Sequence, residues 1–458
     1  MPMFADASSE AVPIHVLARK GWADQAARIA GEALGFARAC GFEAKPGQHC
    51  LLPGPSGGLG AVLFGIHEPG ARSYDPFLPG KLATLLPPGT YAFVQDTPDV
   101  DLAALSWLLS GYRFTRFKAV KTEPATLRAP SSADAARLER IAHGICLARD
   151  LVNRPANDLG PDALEQAAIE LAQRHGAVSR TIKGEKLARD FPLIHAVGQA
   201  AHEAPRLVEL TFGPKSAPKV TLVGKGVTFD TGGLDLKPAS AMALMKKDMA
   251  GAATAMALAD MVMDAKLGLN LRVLLPIVEN AVSAPAFRPG DIYRSRKGLT
   301  VEIGNTDAEG RLILADALAL AVEDKPDLLI DFSTLTGAAR VALGPDLPAF
   351  FTDDEDLADS LARLGRRSHD PVWRLPLWPG YEPLLDGKAA DLTNAPDSPF
   401  AGAITAALFL QKFVEPGTAW VHFDLYGWNP SAKPGRPEGG EAPTARLLYD
   451  LLCERAAS

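Results

Sequence analysis

Polar side chains that could bind a metal ion follow one apolar segment of the chain. Directly after the apolar run VTLVG come Lys225, Asp230, Lys237 and Asp248, set among glycines and apolar residues. We interpret the run as a strand, and ligands usually bind at the carboxyl ends of strands in an α/β sheet. A pair of adjacent glycines in this segment would let the backbone approach a bound group closely. The segment therefore predicts a site at the end of this strand.

A second polar segment, NTDAEGRL at residues 305–312, precedes a predicted helix. Asp307, Glu309 and Arg311 occupy alternate positions in it. Alternate side chains of an extended loop lie on the same side, so all three can face one centre. The beginning of a helix also favours nearby negative charge.

Taken together, the two segments can bring four carboxylates and a lysine amine to one place. Carboxylates packed this closely repel one another unless cations neutralise them. Carboxylates combined with one amine suit Zn, Mn, Co or Mg better than a soft metal. Two ions about 3.5–4 Å apart that share bridging carboxylates form a known hydrolytic arrangement. Each residue alone would be an ordinary surface charge or helix-start charge, and only their combination favours a metal site.

Other arrangements of reactive residues have less support. The nine histidines form no HExxH motif, and His422 lies in an apolar strand, where a hydrogen-bonded core residue is expected. The glycine-rich segment at residues 54–60 lacks the GxxxxGK[ST] pattern and is interpreted as a turn. Ser333 and Thr334 are not part of a GxSxG motif, which argues against a serine hydrolase.

The overall charge argues against a nucleic-acid partner. The 458-residue chain has a net charge of −7, from 47 basic and 54 acidic residues, which disfavours broad binding to nucleic acid. One basic segment, RFTRFKAVK at residues 113–121, could be a local basic patch or a half-exposed strand. Its mixture of apolar and basic residues favours the strand.

The cysteines and the apolar runs indicate a cytoplasmic protein with no membrane partner. The four cysteines form no CxxC pair, which is typical of free thiols in a reducing compartment. The first residues lack the pattern of a secretory signal. No uncharged apolar run is long enough to span a bilayer.

The elements that must position these residues alternate between strands and helices in two parts of the chain. We predict a small amino-terminal α/β domain at residues 1–128 and a larger catalytic domain at 129–458, with 129–160 forming a linker helix and the lead into that domain. Strands that are apolar on both faces imply a central sheet flanked by helices. We expect strands at residues 13–18, 90–94, 206–212, 220–224, 271–278, 327–332 and 419–425. We expect helices at residues 23–39, 102–109, 250–265, 312–322, 401–414 and 444–453.

The two polar segments resemble those of the leucyl aminopeptidase family of dimetal cytosolic peptidases. NTDAEGRL looks like the signature octapeptide of that family, and GKGVTFDTGG, MKKDM and DFSTLTGA match in the expected order and spacing. The likeness covers residues 153–448, whereas the part before residue 129 resembles the family only loosely. The resemblance implies an α/β fold with a central mixed sheet in the catalytic domain.

The resemblance also implies a role for each candidate residue. It assigns the tighter metal to Lys225, Asp230, Asp248 and Glu309. It assigns the more exchangeable metal to Asp230, Asp307 and Glu309. Lys237 would stabilise the developing oxyanion, and Arg311 would anchor a bicarbonate ion that acts as general base. Met245 and Thr334 would line the pocket for the first side chain of the substrate.

These roles predict an aminopeptidase that removes an apolar first residue, such as Leu or Met, from short peptides. A water bridging two metal ions, with Zn or Mn preferred, would be the nucleophile, and the family likeness implies a homohexamer. Two alternatives stay open at this point. Some relatives bind DNA, which a basic surface patch would indicate here. Others could persist as non-catalytic structural proteins, although such a protein is expected to lose metal ligands and all five are present here.

Overall fold

The chain folds into two compact units in a computed structural model that describes residues 3–24, 31–54, 57–94, 96–119 and 123–457. One unit comprises residues 1–146 and 431–438, and the other comprises residues 147–430 and 439–458. The long helix Ala135–Asn153 continues from the first range into the second.

The first unit is built on a mostly parallel sheet. In the described part of this unit the sheet has five strands, and only its edge strand His49–Pro53 is antiparallel to its neighbour. From edge to edge the strands are His49–Pro53, Leu59–Ile66, Val12–Ala18, Gly89–Phe93 and Ala125–Leu127. The helices described here are Gly31–Ala39, Leu82–Leu85 and Val100–Ser110, with a 3₁₀ turn at Leu78–Lys81.

The second unit is built on a larger, mixed sheet. Four central strands are parallel, and antiparallel strands pair at both sides of them. From edge to edge the strands are Trp373–Arg374, Ala349–Phe351, Trp420–Asp424, Leu328–Ser333, Lys219–Gly224, Asn270–Asn280, Arg206–Phe212 and Val178–Lys183. Gly226–Asp230 pairs with Asn270–Asn280 beside this path. Smaller pairings join Ile292–Arg294, Thr300–Glu302 and Leu392–Thr393, and join Trp428–Asn429 to Gly439–Gly440.

Helices cover this sheet because its central strands have no solvent-facing side. Every residue of Leu328–Ser333 is buried, and the helix Ala250–Asp264 packs against it with nearly all of its own residues buried. The α-helices of this unit are Pro161–His175, Gly184–Asp190, Pro192–Gly198, Ala239–Met242, Ala250–Asp264, Glu309–Glu323, Gly337–Leu343, Glu355–Arg367, Gly402–Gln411 and Ala445–Ala457. The 3₁₀ segments are Met245–Met249 and Pro379–Leu385.

The predicted α/β class and the mixed sheet flanked by helices are confirmed. The seven strands expected at residues 13–18, 90–94, 206–212, 220–224, 271–278, 327–332 and 419–425 are found within two residues of those bounds. The helix expected at residues 23–39 is found as Gly31–Ala39, and residues 25–30 lie outside the described part.

The strand predicted at residues 113–121 is wrong over its described part. Residues 113–119 form an irregular loop, and 120–122 are not among the described residues. The Arg113 guanidinium donates hydrogen bonds of 2.7 Å to the carbonyl oxygens of Ser110 and Tyr112, at the end of the preceding helix.

No helix in the described part of the chain combines the length and apolar character needed to cross a membrane.

Candidate active site

The carboxyl ends of neighbouring strands place the first group of predicted site residues. Lys225 directly follows the strand Lys219–Gly224, and Thr334 directly follows the adjacent parallel strand Leu328–Ser333. Asp230 is the last residue of Gly226–Asp230. Because parallel strands end at the same edge of a sheet, these side chains meet there.

The loop after Asp230 turns back through two glycines in the left-handed region. Gly232 has φ +87° and Gly233 has φ +66°, and a Cβ on either would come within about 3 Å of neighbouring atoms. This turn brings Lys237 back to the site, where its backbone N–H donates to the Thr231 carbonyl at 2.9 Å. Asp248 arrives on the short 3₁₀ segment Met245–Met249, which also carries Met245.

The second predicted segment packs directly against the first. Glu309 is the first residue of the helix Glu309–Glu323, and Arg311 lies in its first turn. Between them, a Cβ on Gly310 would lie 2.7 Å from the Lys225 Nζ. Gly310 therefore lets the helix begin in contact with the lysine amine.

Two lysines and four carboxylates form one connected cluster. The Lys225 Nζ lies 2.8 Å from both Asp248 Oδ2 and Glu309 Oε1. The Lys237 Nζ lies 2.8 Å from Asp230 Oδ2 and also pairs with Asp307. Asp307 is the most accessible of the four carboxylates, with 33% of its side chain exposed.

The cluster carries an excess of negative charge, because two ammonium groups face four carboxylates. Burial and the neighbouring Asp230 raise the pKa of Asp307 to about 6 and raise the pKa of Glu309 well above its usual range. Burial lowers the pKa of Lys225 and Lys237, but the surrounding carboxylates outweigh it and raise both values. Additional cations would relieve this repulsion.

The donor atoms present fit hard divalent cations. Asp230, Asp307 and Glu309 each offer one carboxylate oxygen, and these oxygens lie within 4.8 Å of one another. Glu309 Oε2 is buried without a hydrogen-bond partner in the described structure, although an unsatisfied buried carboxylate oxygen is costly. Such an oxygen-rich set with one amine suits Zn, Mn, Co or Mg. The residues therefore fit the predicted metal site.

Polar residues that sequence reasoning missed hold the two segments together. Asn280 Nδ2 donates to Asp230 Oδ1 at 2.8 Å and to the Thr306 carbonyl at 3.2 Å. Thr306 Oγ1 in turn donates to the Gly232 carbonyl at 2.6 Å, and Asp235 Oδ2 accepts the Thr306 N–H at 2.7 Å. Asn280 ends the long strand Asn270–Asn280. Because ligands bind at the ends of strands in such sheets, the position of Asn280 at a strand end was the sequence feature that could have indicated its role.

Asn394 supports the segment from the other side. Its Oδ1 accepts the N–H groups of Gly304 and Asn305 at 2.8 and 3.2 Å, and its Nδ2 donates to the Asn305 carbonyl at 2.8 Å. The Arg311 guanidinium donates to the Asn394 carbonyl at 2.6 Å, while the buried Arg311 Nε has no hydrogen-bond partner in the described structure. Burial lowers the pKa of Arg311 to about 10, so it stays charged near neutral pH.

The cluster opens into a cavity of about 720 Å³. All nine predicted site residues line it: Lys225, Asp230, Lys237, Met245, Asp248, Asp307, Glu309, Arg311 and Thr334. The Thr334 hydroxyl donates to Asp248 Oδ1 at 2.7 Å, and its carbonyl accepts from the Lys225 Nζ at 3.1 Å. Ala241, Leu244, Leu335 and Leu425 contribute apolar surface to the same cavity. Lys247, Arg340 and Tyr426 also line the cavity and were not predicted.

His422 lies in the core, as expected. It is fully buried, and its Nδ1 lies 2.5 Å from Asp331 Oδ1. The same aspartate accepts the Trp420 indole N–H at 2.7 Å. This group stabilises adjacent strands and does not line the cavity.

Comparisons with known proteins agree over nearly the whole chain. Residues 146–449 match the family described as "Cytosol aminopeptidase family, catalytic domain", and residues 12–130 match "M17 aminopeptidase, N-terminal domain". A probable cytosol aminopeptidase of Syntrophotalea carbinolica is 42% identical over 375 residues, covering 78% of this chain and 75% of the relative. A probable cytosol aminopeptidase of Roseiflexus castenholzii is 37% identical over 440 residues, covering 88% and 90%.

Two solved structures extend the likeness to three dimensions. The crystal structure of cytosol aminopeptidase from Coxiella burnetii is 43% identical, with a TM-score of 0.93 over 98% of both chains. The bottromycin maturation enzyme BotP, solved in complex with Mn, is 33% identical, with a TM-score of 0.86 over 98% of this chain and 100% of BotP.

Fold, site and relatives together define the class of this protein: it is an aminopeptidase of the leucyl type, a hydrolase that acts on peptides. More particularly, the chain belongs to the cytosol aminopeptidase family, also designated M17, which is metal-dependent.

Proposed function

We propose that this aminopeptidase uses two divalent metal ions, Zn or Mn, to remove apolar amino-terminal residues from short peptides. The observation that carries the proposal is the cluster of Lys225 and four carboxylates, three of them buried, that lines an open cavity with excess negative charge and an unpartnered Glu309 oxygen in the described structure. When bound, the two ions would supply a bridging water acidified enough to attack near neutral pH and a binding site for the free amine of the substrate.

The residues of the cluster divide into metal ligands and groups that act on the substrate. We assign the tighter metal to Lys225, Asp230, Asp248 and Glu309, and the more exchangeable metal to Asp230, Asp307 and Glu309. Asp307 is the more exposed carboxylate, which supports its place at the exchangeable site. Lys225 can be a ligand only after it loses its proton, which metal binding would enforce.

Lys237 and Arg311 would act without binding metal. Lys237 keeps its charge, because its carboxylate neighbours raise its pKa, and a charged donor at the cavity wall suits a developing oxyanion. The buried Arg311 presents an Nε without a hydrogen-bond partner in the described structure. That donor supports the proposal that Arg311 anchors a bicarbonate ion as general base.

We predict a preference for large apolar first residues. Met245 and its apolar neighbours would enclose the first side chain, and each buried CH₂ group contributes about 0.8 kcal/mol. Leucine has three more carbons than alanine, so kcat/KM should be roughly 30-fold or more higher for leucine p-nitroanilide than for alanine p-nitroanilide. Steady-state kinetics on this pair, with methionine and aspartate substrates alongside, would measure the preference.

An acetylated substrate provides the control for this assay. N-acetyl-leucine p-nitroanilide has the same side chain and leaving group but no free amine, so it should not be hydrolysed. Hydrolysis of the acetylated compound at a similar rate would contradict aminopeptidase action. A strong preference for aspartate would contradict the apolar pocket alone.

We also propose that the protein is a cytoplasmic homohexamer. The cytoplasmic location is supported by relatives that are named cytosol aminopeptidases, and the hexamer by the family resemblance. Sedimentation equilibrium should give a mass of about six times the 48.5 kDa chain. A concentration-independent monomer would rule the hexamer out.

A further inference from the structure

Two positive side chains in the cavity have no part in the proposed metal chemistry. Lys247 lies between Met245 and Asp248 in the chain, and only 5% of its surface is exposed. Arg340 is far from Lys247 in the sequence. It lies on the helix Gly337–Leu343 and is exposed. Both line the same cavity as the carboxylate cluster.

The two cations both contact one aromatic ring. The Lys247 Nζ lies 4.7 Å from the centroid of the Tyr426 ring, and the Arg340 Cζ lies 5.4 Å from the same centroid. Neither cation forms an ion pair or donates a side-chain hydrogen bond within the described residues. Contact with the ring offsets part of the cost of burying the ammonium. Lys247 is nearly buried and forms no ion pair among the described residues, so an anion that joined it would offset part of the cost of burying its charge.

The nearby anions of the chain are already engaged. Asp248 accepts the Thr334 hydroxyl and pairs with Lys225. Asp424 Oδ1 accepts the N–H groups of Leu335 and Thr336 at 3.0 and 3.2 Å, and Asp424 Oδ2 accepts the Thr336 hydroxyl at 2.6 Å. Among the described residues, neither carboxylate forms an ion pair with Lys247 or Arg340. An anion from outside the chain could therefore pair with the two cations without displacing these contacts.

We propose that Lys247 and Arg340, which both contact the Tyr426 ring, form a subsite for a carboxylate of the peptide substrate. Resting on the proposed function, this adds a second determinant of specificity to the apolar pocket. Lysine and arginine bind carboxylates through charge-assisted hydrogen bonds, which are stronger than neutral ones. A peptide can bring this group as its free C-terminal carboxylate, as an acidic side chain in the second residue, or as one in the first.

Three matched substrate pairs test the subsite and identify which carboxylate it binds. Leu-Ala against Leu-Ala amide tests the C-terminal carboxylate. Leu-Asp amide against Leu-Asn amide tests the second side chain, and glutamate against glutamine p-nitroanilide tests the first. In at least one pair, kcat/KM for the charged member should exceed that of the neutral member by about 10-fold to 100-fold, the worth of one charge-assisted hydrogen bond.

Variants then connect that ratio to the two cations. Lys247→Met and Arg340→Met keep much of each side-chain stem and remove the charge, so each should move the charged-to-neutral ratio towards one. Lys246→Met is the matched control, because Lys246 also packs over an aromatic ring, Trp428, but does not line the cavity. It should leave the ratio unchanged. Circular dichroism confirms that each variant is folded.

Two results would overturn the subsite. Either no pair shows a ratio above about 3, or a high ratio survives in both Lys247→Met and Arg340→Met. Hydrolysis of Leu-Ala amide keeps this question separate from the proposed function. If the unaltered, metal-loaded chain cleaves that neutral substrate without any carboxylate dependence, only the subsite is wrong. If it cleaves none of the substrates, the proposed aminopeptidase chemistry itself has failed.

Discussion

Removal of bound metal is expected to abolish the peptidase activity of this chain, and added Mn²⁺, Zn²⁺ or Co²⁺ is expected to restore it. Among the described residues that line the cavity there is no histidine or cysteine, so a serine or threonine hydroxyl there has no imidazole to activate it. The Thr334 and Thr336 hydroxyls already donate to Asp248 and Asp424. This lining agrees with our proposal that the nucleophile is a water made acidic by a metal.

The measurement is leucine p-nitroanilide hydrolysis beside metal content per chain by elemental mass spectrometry. Dialysis against a chelator should reduce both together, and titration with Mn²⁺ should restore the rate as occupancy approaches two ions per chain. Circular dichroism of the stripped protein shows whether it remains folded, so that loss of rate is not simply unfolding. Full activity in a folded sample with negligible metal would disprove the proposed chemistry, and saturation at one ion would disprove the two-metal arrangement.

The elements that position this site could be predicted from sequence because their patterns are local. The apolar run at residues 220–224 has the period and length of a buried strand, and the structure has Lys219–Gly224 buried beyond its first residue. The position of Lys225 at the sheet edge follows from that strand alone. The same local argument failed at residues 113–119, where a mixture of apolar and basic residues forms a loop. β propensity depends on its tertiary context, which such a short pattern does not contain.

The grouping of Asp307 and Glu309 with the first segment came from pattern and family likeness, and the structure brings them together. The bonds that hold the grouping in place could not be predicted. Asn394 bonds to backbone groups of Gly304, Asn305 and Ala308, which lie about 90 positions before it in the chain. No motif near Asn394 in the sequence indicates that role. A side chain that caps a distant loop has no period or motif of its own.

The cationic subsite was missed for a similar reason. Lys247, Arg340 and Tyr426 come from three separate segments of the chain. The local sequence around each one predicts an ordinary surface residue. Lys247 in particular stands beside Lys246, and a lysine is almost never buried without a partner. Only the three-dimensional arrangement shows one lysine of this pair inside the cavity and the other outside its lining.

Glu309→Ala and Lys237→Ala should separate metal binding from chemistry. Glu309 is assigned to both metals, so its loss should lower metal occupancy and reduce the rate to near background. Lys237 is assigned to neither metal. Its ammonium now lies against Asp230 and Asp307, so removing it takes a positive charge away from two proposed ligands, which favours cation binding there. Lys237→Ala should therefore keep two metals per chain.

The rate of Lys237→Ala should still fall by about 10²–10³ in kcat, with little change in KM, because a donor aimed at an oxyanion acts mainly in the transition state. Arg311→Ala should keep its metals and lose less rate, since a water can partly replace an anchored bicarbonate as base. Metal content beside steady-state kinetics measures all three variants. Glu309→Gln, which keeps the shape of the buried side chain, checks that metal loss follows from the missing charge and not from a cavity. The assignment would be refuted by the reverse pattern, in which Lys237→Ala loses its metals and Glu309→Ala retains both. Lys237 would then be a metal ligand and Glu309 would not.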